Sequence, residues 1–108
     1  MRTLDFIVEG QILKPSPTCD FEDLVPGTEG YLKASFTFSS EWKNCVKAVG
    51  FVDLNGNELT PKLLKDGRSC FIPSDVTRIK RFKVYVVGKR KGFKISTTTA
   101  LVTSILFY

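Results

Sequence analysis

The stretch Leu32-Lys33-Ala34-Ser35-Phe36-Thr37-Phe38-Ser39-Ser40-Glu41-Trp42 decides the fold. Leu32, Ala34, Phe36 and Phe38 fall on one face, while Lys33, Ser35 and Thr37 fall on the other. A period of two is the mark of a half-buried β-strand. Ser39 to Asn44 then breaks the alternation with side chains that bond their own backbone, so a tight turn or a single helical turn follows. Trp42 is the only tryptophan in the chain. Grouped with Phe36 and Phe38, it is expected to plug one end of a core rather than to offer a ligand platform.

The same period recurs on either side. Leu4, Phe6 and Val8 share one face of a first strand, and Gly10 then permits a bend. Gln11-Ile12-Leu13 is expected to continue pairing after a bulge, until Pro15 and Pro17 end it. Val46 to Leu54 carries apolar residues on both faces, which predicts a central strand covered at least in part on both sides. Asn55-Gly56 is a hairpin signal. The chain returns through Glu58 to Leu64, where Pro61 marks an edge.

Asp66-Gly67 makes a second turn, and Arg68 to Ile72 is a short strand with Cys70 and Ile72 on one side. Pro73 to Val76 reads as a turn or a single helical turn. Phe82 to Gly88 is a strand with Phe82, Val84 and Val86 inward. Lys89 to Gly92 caps a hairpin, Phe93 to Ile95 returns, and Ala100 to Tyr108 forms a last strand. Seven to eight short strands with almost no helix predict an all-β fold, an Ig-like antiparallel β-sandwich. It is expected to form one domain over residues 1–108, with an acidic arm and loop within 1–30.

Composition narrows the chemistry. The chain has 108 residues, 43% of them hydrophobic and 25% charged, in the range of an ordinary globular domain. It contains no histidine. That removes the commonest general base, the commonest zinc ligand and the Ser-His and Cys-His pairs. Cys19, Cys45 and Cys70 form no C-x-x-C pair and are odd in number, so they are expected to be free thiols in a reducing compartment. Asp20-Phe21-Glu22-Asp23 lacks the alternate-position oxygens of an EF-hand loop. Neither a Walker-type loop nor a dinucleotide fingerprint is present. The expectation is a protein that is not an enzyme, with no catalytic residue, no cofactor and no metal.

The N-terminus has a charge but no long apolar run behind it, and no stretch approaches the length of a membrane span. The product is therefore expected to stay in the cytoplasm where it is made, with no membrane partner.

Charge is unevenly placed on a chain whose formal net charge is +5. Residues before Tyr31 are net acidic, and the remainder is strongly basic. Arg78, Lys80, Arg81 and Lys83, followed by Lys89, Arg90, Lys91 and Lys94, supply half of the sixteen basic residues with no acid between them. Interleaved with Phe82, Tyr85 and Phe93, this stretch could track a phosphate backbone. Alternation sends Phe82 inward, however, and lysine on strand edges also serves to block aggregation. Plain solvation is the first reading of the patch, an acidic protein partner the second and nucleic acid the third.

The series Tyr31 to Trp42, Lys47-Ala48-Val49-Gly50-Phe51, Cys70-Phe71-Ile72-Pro73 and Phe82 to Gly88, closing on Thr97-Thr98-Thr99, resembles a family of small bacteriophage β-sandwich proteins. The family pattern runs as an aromatic strand, an F-S-x-E-W turn, a K-x-A-x-F strand, a C-x-I-P turn and a V-x-V-x-G strand. Such modules occur alone or at the base of head fibres, neck and tail appendages. The resemblance covers most of the chain from about Tyr31 onward, and its motifs define a fold and carry no active residue over.

It implies a non-enzymatic structural accessory of a phage particle, made in the host cytoplasm and carried in the virion. Such a protein would dock on the capsid surface or anchor a fibre. Its partners would be capsid or other virion proteins, with a second copy of the chain as a further candidate. The expected contact residues are Asp20, Glu22 and Asp23 of the acidic arm with Leu106 and Tyr108 of the last strand. The alternative is a small basic nucleic-acid-binding or host-directed inhibitory protein acting through residues 78–94. A glycan surface formed by Tyr31, Tyr85 and Tyr108 ranks below both.

Overall fold

The alternation around Phe36 does form a strand, and the partners it takes fix the architecture. The computed structural model describes residues 2–17, 19, 24–25 and 30–103. Asp20, Glu22, Asp23, Leu106 and Tyr108 lie outside the described residues. One sheet holds β1 (Arg2–Glu9), β2 (Ile12–Pro15), β3 (Leu32–Phe38) and β6 (Ser69–Phe71) in the order β2-β1-β3-β6. The other holds β4 (Val46–Val52), β5 (Lys62–Leu63), β7 (Arg81–Arg90), β8 (Phe93–Ser96) and β9 (Ala100–Thr103), in the order β5-β4-β7 with β8 and β9 both on the far edge of β7. The protein is an all-β sandwich. Its short helical elements are a 3-10 turn over Ser40–Trp42 and α1 (Ser74–Thr77).

Register follows from burial. β1 and β3 pair in parallel, Leu4 opposite Ala34, Phe6 opposite Phe36 and Val8 opposite Phe38, so their apolar sets share one inner face. The Phe6 and Phe36 rings stack with centroids 5.4 Å apart. Among the described residues this is the one parallel pair, the other strand pairs being antiparallel. A parallel pair needs a long crossover, and the chain between β1 and β3, β2 included, provides it. At Gly10, with φ of 57°, the chain reverses fully and β2 folds back antiparallel on β1. The turn there is a hairpin, where the sequence suggested only a bulge.

The strand expected to return through Glu58 to Leu64 is cut to Lys62–Leu63. Pro61 has no N–H to give to a ladder. Just before it, the Thr60 hydroxyl donates to the Asp75 carboxylate at 2.7 Å, drawing the backbone away from β4. β8 and β9 behave as one interrupted strand. β8 runs along Val87 to Arg90 and β9 along Arg81 to Val84. The break falls at Thr97, whose N–H donates to the Val86 carbonyl while its hydroxyl accepts from the Val86 N–H.

Trp42 closes one end of the core and is fully buried. Its ring packs on Gly88 of β7, where a Cβ would stand 2.7 Å from the indole. Phe38 leans on it with ring centroids 5.2 Å apart. β4 is central, as its apolar faces predict, yet its outer face is not covered at its start: Val46 is 64% exposed.

Candidate functional site

The described carboxylates are mostly occupied with local structure. Asp53 accepts from the backbone of Asn55 and Asn57 and from the Asn57 amide, which holds its carboxyl below the usual range. Asp66 accepts from the Ser69 hydroxyl at 2.7 Å and from the backbone N–H groups of Ser69 and Arg68, which lowers its pKa strongly. Asp75 is lowered by the Thr60 hydroxyl first of all. Glu58 accepts from the Tyr85 hydroxyl at 2.8 Å, and burial, aided by that bond, raises the Tyr85 pKa. Among the described residues, no group of three or more cysteine, aspartate or glutamate side chains is placed to hold a metal ion.

Few of these carboxylates therefore pair with a described cation. The only ion pair between described residues joins Lys14 to Glu9, at 3.6 Å between two exposed groups. Pairs of that kind stabilise a fold by little. With a formal net charge of +5, the protein presents a positive field to any partner.

The basic residues singled out by their sequence run are not gathered in one patch. Arg78, Lys80 and Arg81 stand at the start of β7, and Lys89, Arg90, Lys91 and Lys94 at its far end. Nine residue steps of extended chain separate Arg81 from Arg90, about 30 Å. Arg90 is a structural tie: it donates to the carbonyls of Glu41 (2.9 Å) and Lys43 (3.1 Å), and its guanidinium lies 4.0 Å over the Phe93 ring. Of the interleaved aromatics, Phe82 is buried, Tyr85 is bonded to Glu58 and Phe93 is covered by Arg90. Phe82 and Phe93 are thus not bare for a base to stack upon, whereas Tyr85 is partly exposed on the outer face with its hydroxyl held by Glu58.

The outer faces of the two sheets differ. That of the first is mostly polar, with Thr3, Asp5 and Glu9 of β1, Lys14 of β2 and Lys33, Ser35 and Thr37 of β3 pointing out around a half-buried Ile7, and with exposed Ile12 and Phe71 on its two edge strands. That of the second is apolar along its centre. Val46 stands opposite Lys89, Ala48 lies between Leu63 and Val87, and Lys83 lies between Val52 and Leu101. Leu63 and Leu101 are each more than half exposed. Tyr85 lies flat across Gly50 in the middle of this face, where any larger residue than glycine would collide with its ring. The result is an apolar strip crossed by Tyr85 and Lys83 and bordered by Arg81, Lys89 and Lys94.

The two long sides of the sandwich also differ. On one, the Thr98 N–H donates to the Gln11 carbonyl at 2.8 Å and its hydroxyl accepts from the Leu13 N–H at 3.2 Å, sewing β2 to the β8–β9 break. On the other, β5 and β6 are unpaired edges. Two neighbouring hollows of about 460 and 360 Å³ open there, divided by the Asp66–Ser69 turn. Their cations come from five separate places in the chain, so no sequence run announces them.

The three cysteines are free thiols, with Cys45 and Cys70 buried. Burial pushes the Cys70 thiol up to about 11, so it is a poor nucleophile. Comparison with protein-family models, curated proteins and solved structures finds no match to this chain. Among the described residues, no helix is long and apolar enough to cross a membrane.

Proposed function

We propose that this chain is a non-enzymatic accessory of a bacteriophage particle, docking on an acidic patch of the capsid or of another virion protein through the outer face of the β5-β4-β7 sheet. The observation that carries the docking surface is the strip of Val46, Ala48, Val87 and Leu101 edged by cations, opposite a face that is polar along most of β1 and β3. A contiguous exposed apolar strip with a charged rim is the usual form of a protein contact. Charge sets the partner: two copies laid face to face would bring Arg81, Lys83, Lys89 and Lys94 against themselves, and like charges across an interface oppose it. The particle assignment rests on the resemblance of the strand and turn motifs between Tyr31 and Thr99. The nucleic-acid reading of residues 78–94 has less support, because its cations divide between the two ends of β7 and two of its three rings, Phe82 and Phe93, are covered.

The experiment is quantitative mass spectrometry of purified particles, with the wild-type chain and a Val46→Glu, Leu101→Glu variant. Both side chains are more than half exposed, so the variant should keep its melting temperature within a few degrees. The wild type is expected at fixed stoichiometry and the variant at least tenfold depleted. Absence of the wild type from particles would sink the particle assignment, and full incorporation of the variant would sink the assigned face.

A further inference from the structure

The open side of the sandwich has the makings of a second, separate binding site. Lys43, Lys47 and Arg68 line the larger hollow, and Lys33, Lys62 and Lys65 the smaller. The carboxylate on their common border, Asp66, is turned away into the backbone and hydroxyl of its own turn. Glu41, beside the larger hollow, accepts from the Ser39 hydroxyl instead. Six cations therefore line the two hollows against one described carboxylate, Asp66, which stays charged but bonds within its own turn. Two of them are already positioned: the Lys47 ammonium sits 5.1 Å from the Phe38 ring centroid and donates to the Cys45 carbonyl at 3.3 Å, and the Lys33 ammonium sits 5.4 Å from the Phe71 centroid.

The walls of this groove are strand edges. In β6, the Arg68 carbonyl accepts from Phe36 and the Ile72 N–H donates to Leu32, so the even-numbered backbone groups are turned to β3. Alternation then turns the N–H and carbonyl of Phe71 to the open edge. Across the gap, β5 bonds to β4 alone. Exposed Leu63 and Phe71 side chains interrupt the cations.

The geometry points to strand addition: the groove binds an extended acidic peptide segment, with alternate carboxylates on the lysines and apolar side chains on Leu63 and Phe71. Main-chain bonding to a free edge supplies affinity in such complexes, and the alternate side chains supply selection. A single nucleic-acid strand would find the same charge but no bare ring, since the exposed ring on this side, Phe71, lies under Lys33. This site adjoins the apolar strip on the outer sheet face at Leu63 but draws on different cations, and it is tested on the isolated protein.

The probe is an eight-residue peptide alternating glutamate and valine, beside a lysine–valine peptide and an oligothymidylate of equal length. The glutamate peptide is expected to bind with an affinity that falls as salt rises, and to slow hydrogen exchange at the Phe71 amide. Lys47→Glu and Lys62→Glu, on separate strands, should each weaken it at least tenfold. Lys89→Glu, on the outer sheet face, should leave it within twofold. Tighter binding of the oligothymidylate would overturn the peptide assignment. Failure of the glutamate peptide to bind, or binding that leaves Phe71 exchange unchanged, would overturn the groove.

Discussion

The indole N–H of Trp42 donates a 2.8 Å hydrogen bond to the carbonyl oxygen of Gly10, tying the core plug to the β1–β2 reversal. The ring is fully buried, so it contributes both area and one satisfied polar group. Trp42→Ala is expected to cost about 3–5 kcal/mol, a large share of the stability of a small domain. Trp42→Phe keeps part of the packing but strands the Gly10 carbonyl, and should cost clearly less. Denaturant titration gives both values. The wild-type emission should be blue-shifted and poorly quenched by iodide; an exposed spectrum in the folded state would refute the plug.

Gly88 is chosen by space rather than by backbone angle. A Cβ there would stand 2.7 Å from Cζ3 of Trp42 and 3.2 Å from Cβ of Cys45. Neither neighbour can yield without moving the core. Gly88→Ala should therefore destabilise by about 1–3 kcal/mol through overpacking. The cost should shrink in a Trp42→Phe background, because the ring atoms it strikes are gone. Equal costs in both backgrounds would show that the collision is not what excludes a side chain at Gly88.

Cys70 gives a pH signature. Burial first, with the Asp66 charge adding and Lys62 and Lys33 opposing, raises its thiol from 9.0 to about 11. The folded state thus holds the proton more tightly than the unfolded chain. That contribution to stability is fully present below the unfolded pKa and is lost as pH rises through the folded one. The stability difference between wild type and Cys70→Ala should be constant up to about pH 9 and narrow toward pH 11. In native alkylation near pH 8, Cys19, which is half-exposed, should react first and Cys70 last. A Cys70 that reacts as fast as Cys19 would mean that its strand does not face the core.

Much of this fold was legible because alternation is a local signal. Leu4, Phe6 and Val8, or Phe82, Val84 and Val86, declare an inner face without reference to any partner. What could not be read was pairing. The parallel partnership of β1 with β3 depends on a crossover, and the shortening of β5 depends on a hydroxyl of Thr60 finding Asp75, fifteen residues on. The surface shows the same division. Residues 78–94 stand out as a basic run, yet a ten-residue strand carries its two halves to opposite ends. Lys33, Lys43, Lys47, Lys62, Lys65 and Arg68 show no run at all, and only the packing of β3, β4, β5 and β6 brings them to one side. The acidic arm and the last residues of the chain, expected as contacts, lie outside the described residues.

The contrast between the sewn side and the open side can itself be tested through Thr98. Its N–H and hydroxyl bond to Gln11 and Leu13, and the Gln11 side chain returns a 3.2 Å bond to the Ser96 carbonyl. Thr98→Val keeps the β-branched shape and the backbone bond but removes the acceptor for the Leu13 N–H. Losing one partly buried bond of this kind costs about 1 kcal/mol. The local consequence is sharper than the global one, because edges open by sub-global fluctuations. Exchange of the Leu13 amide should accelerate by about fivefold, the kinetic equivalent of that energy. The Ile72 amide, bonded to Leu32 beside the open side, should be affected no more than the global stability change requires. If Leu13 keeps its protection, the hydroxyl is not the seam. If both amides accelerate alike, the two sides open together, and a closed edge facing an open one is not how this sandwich is held.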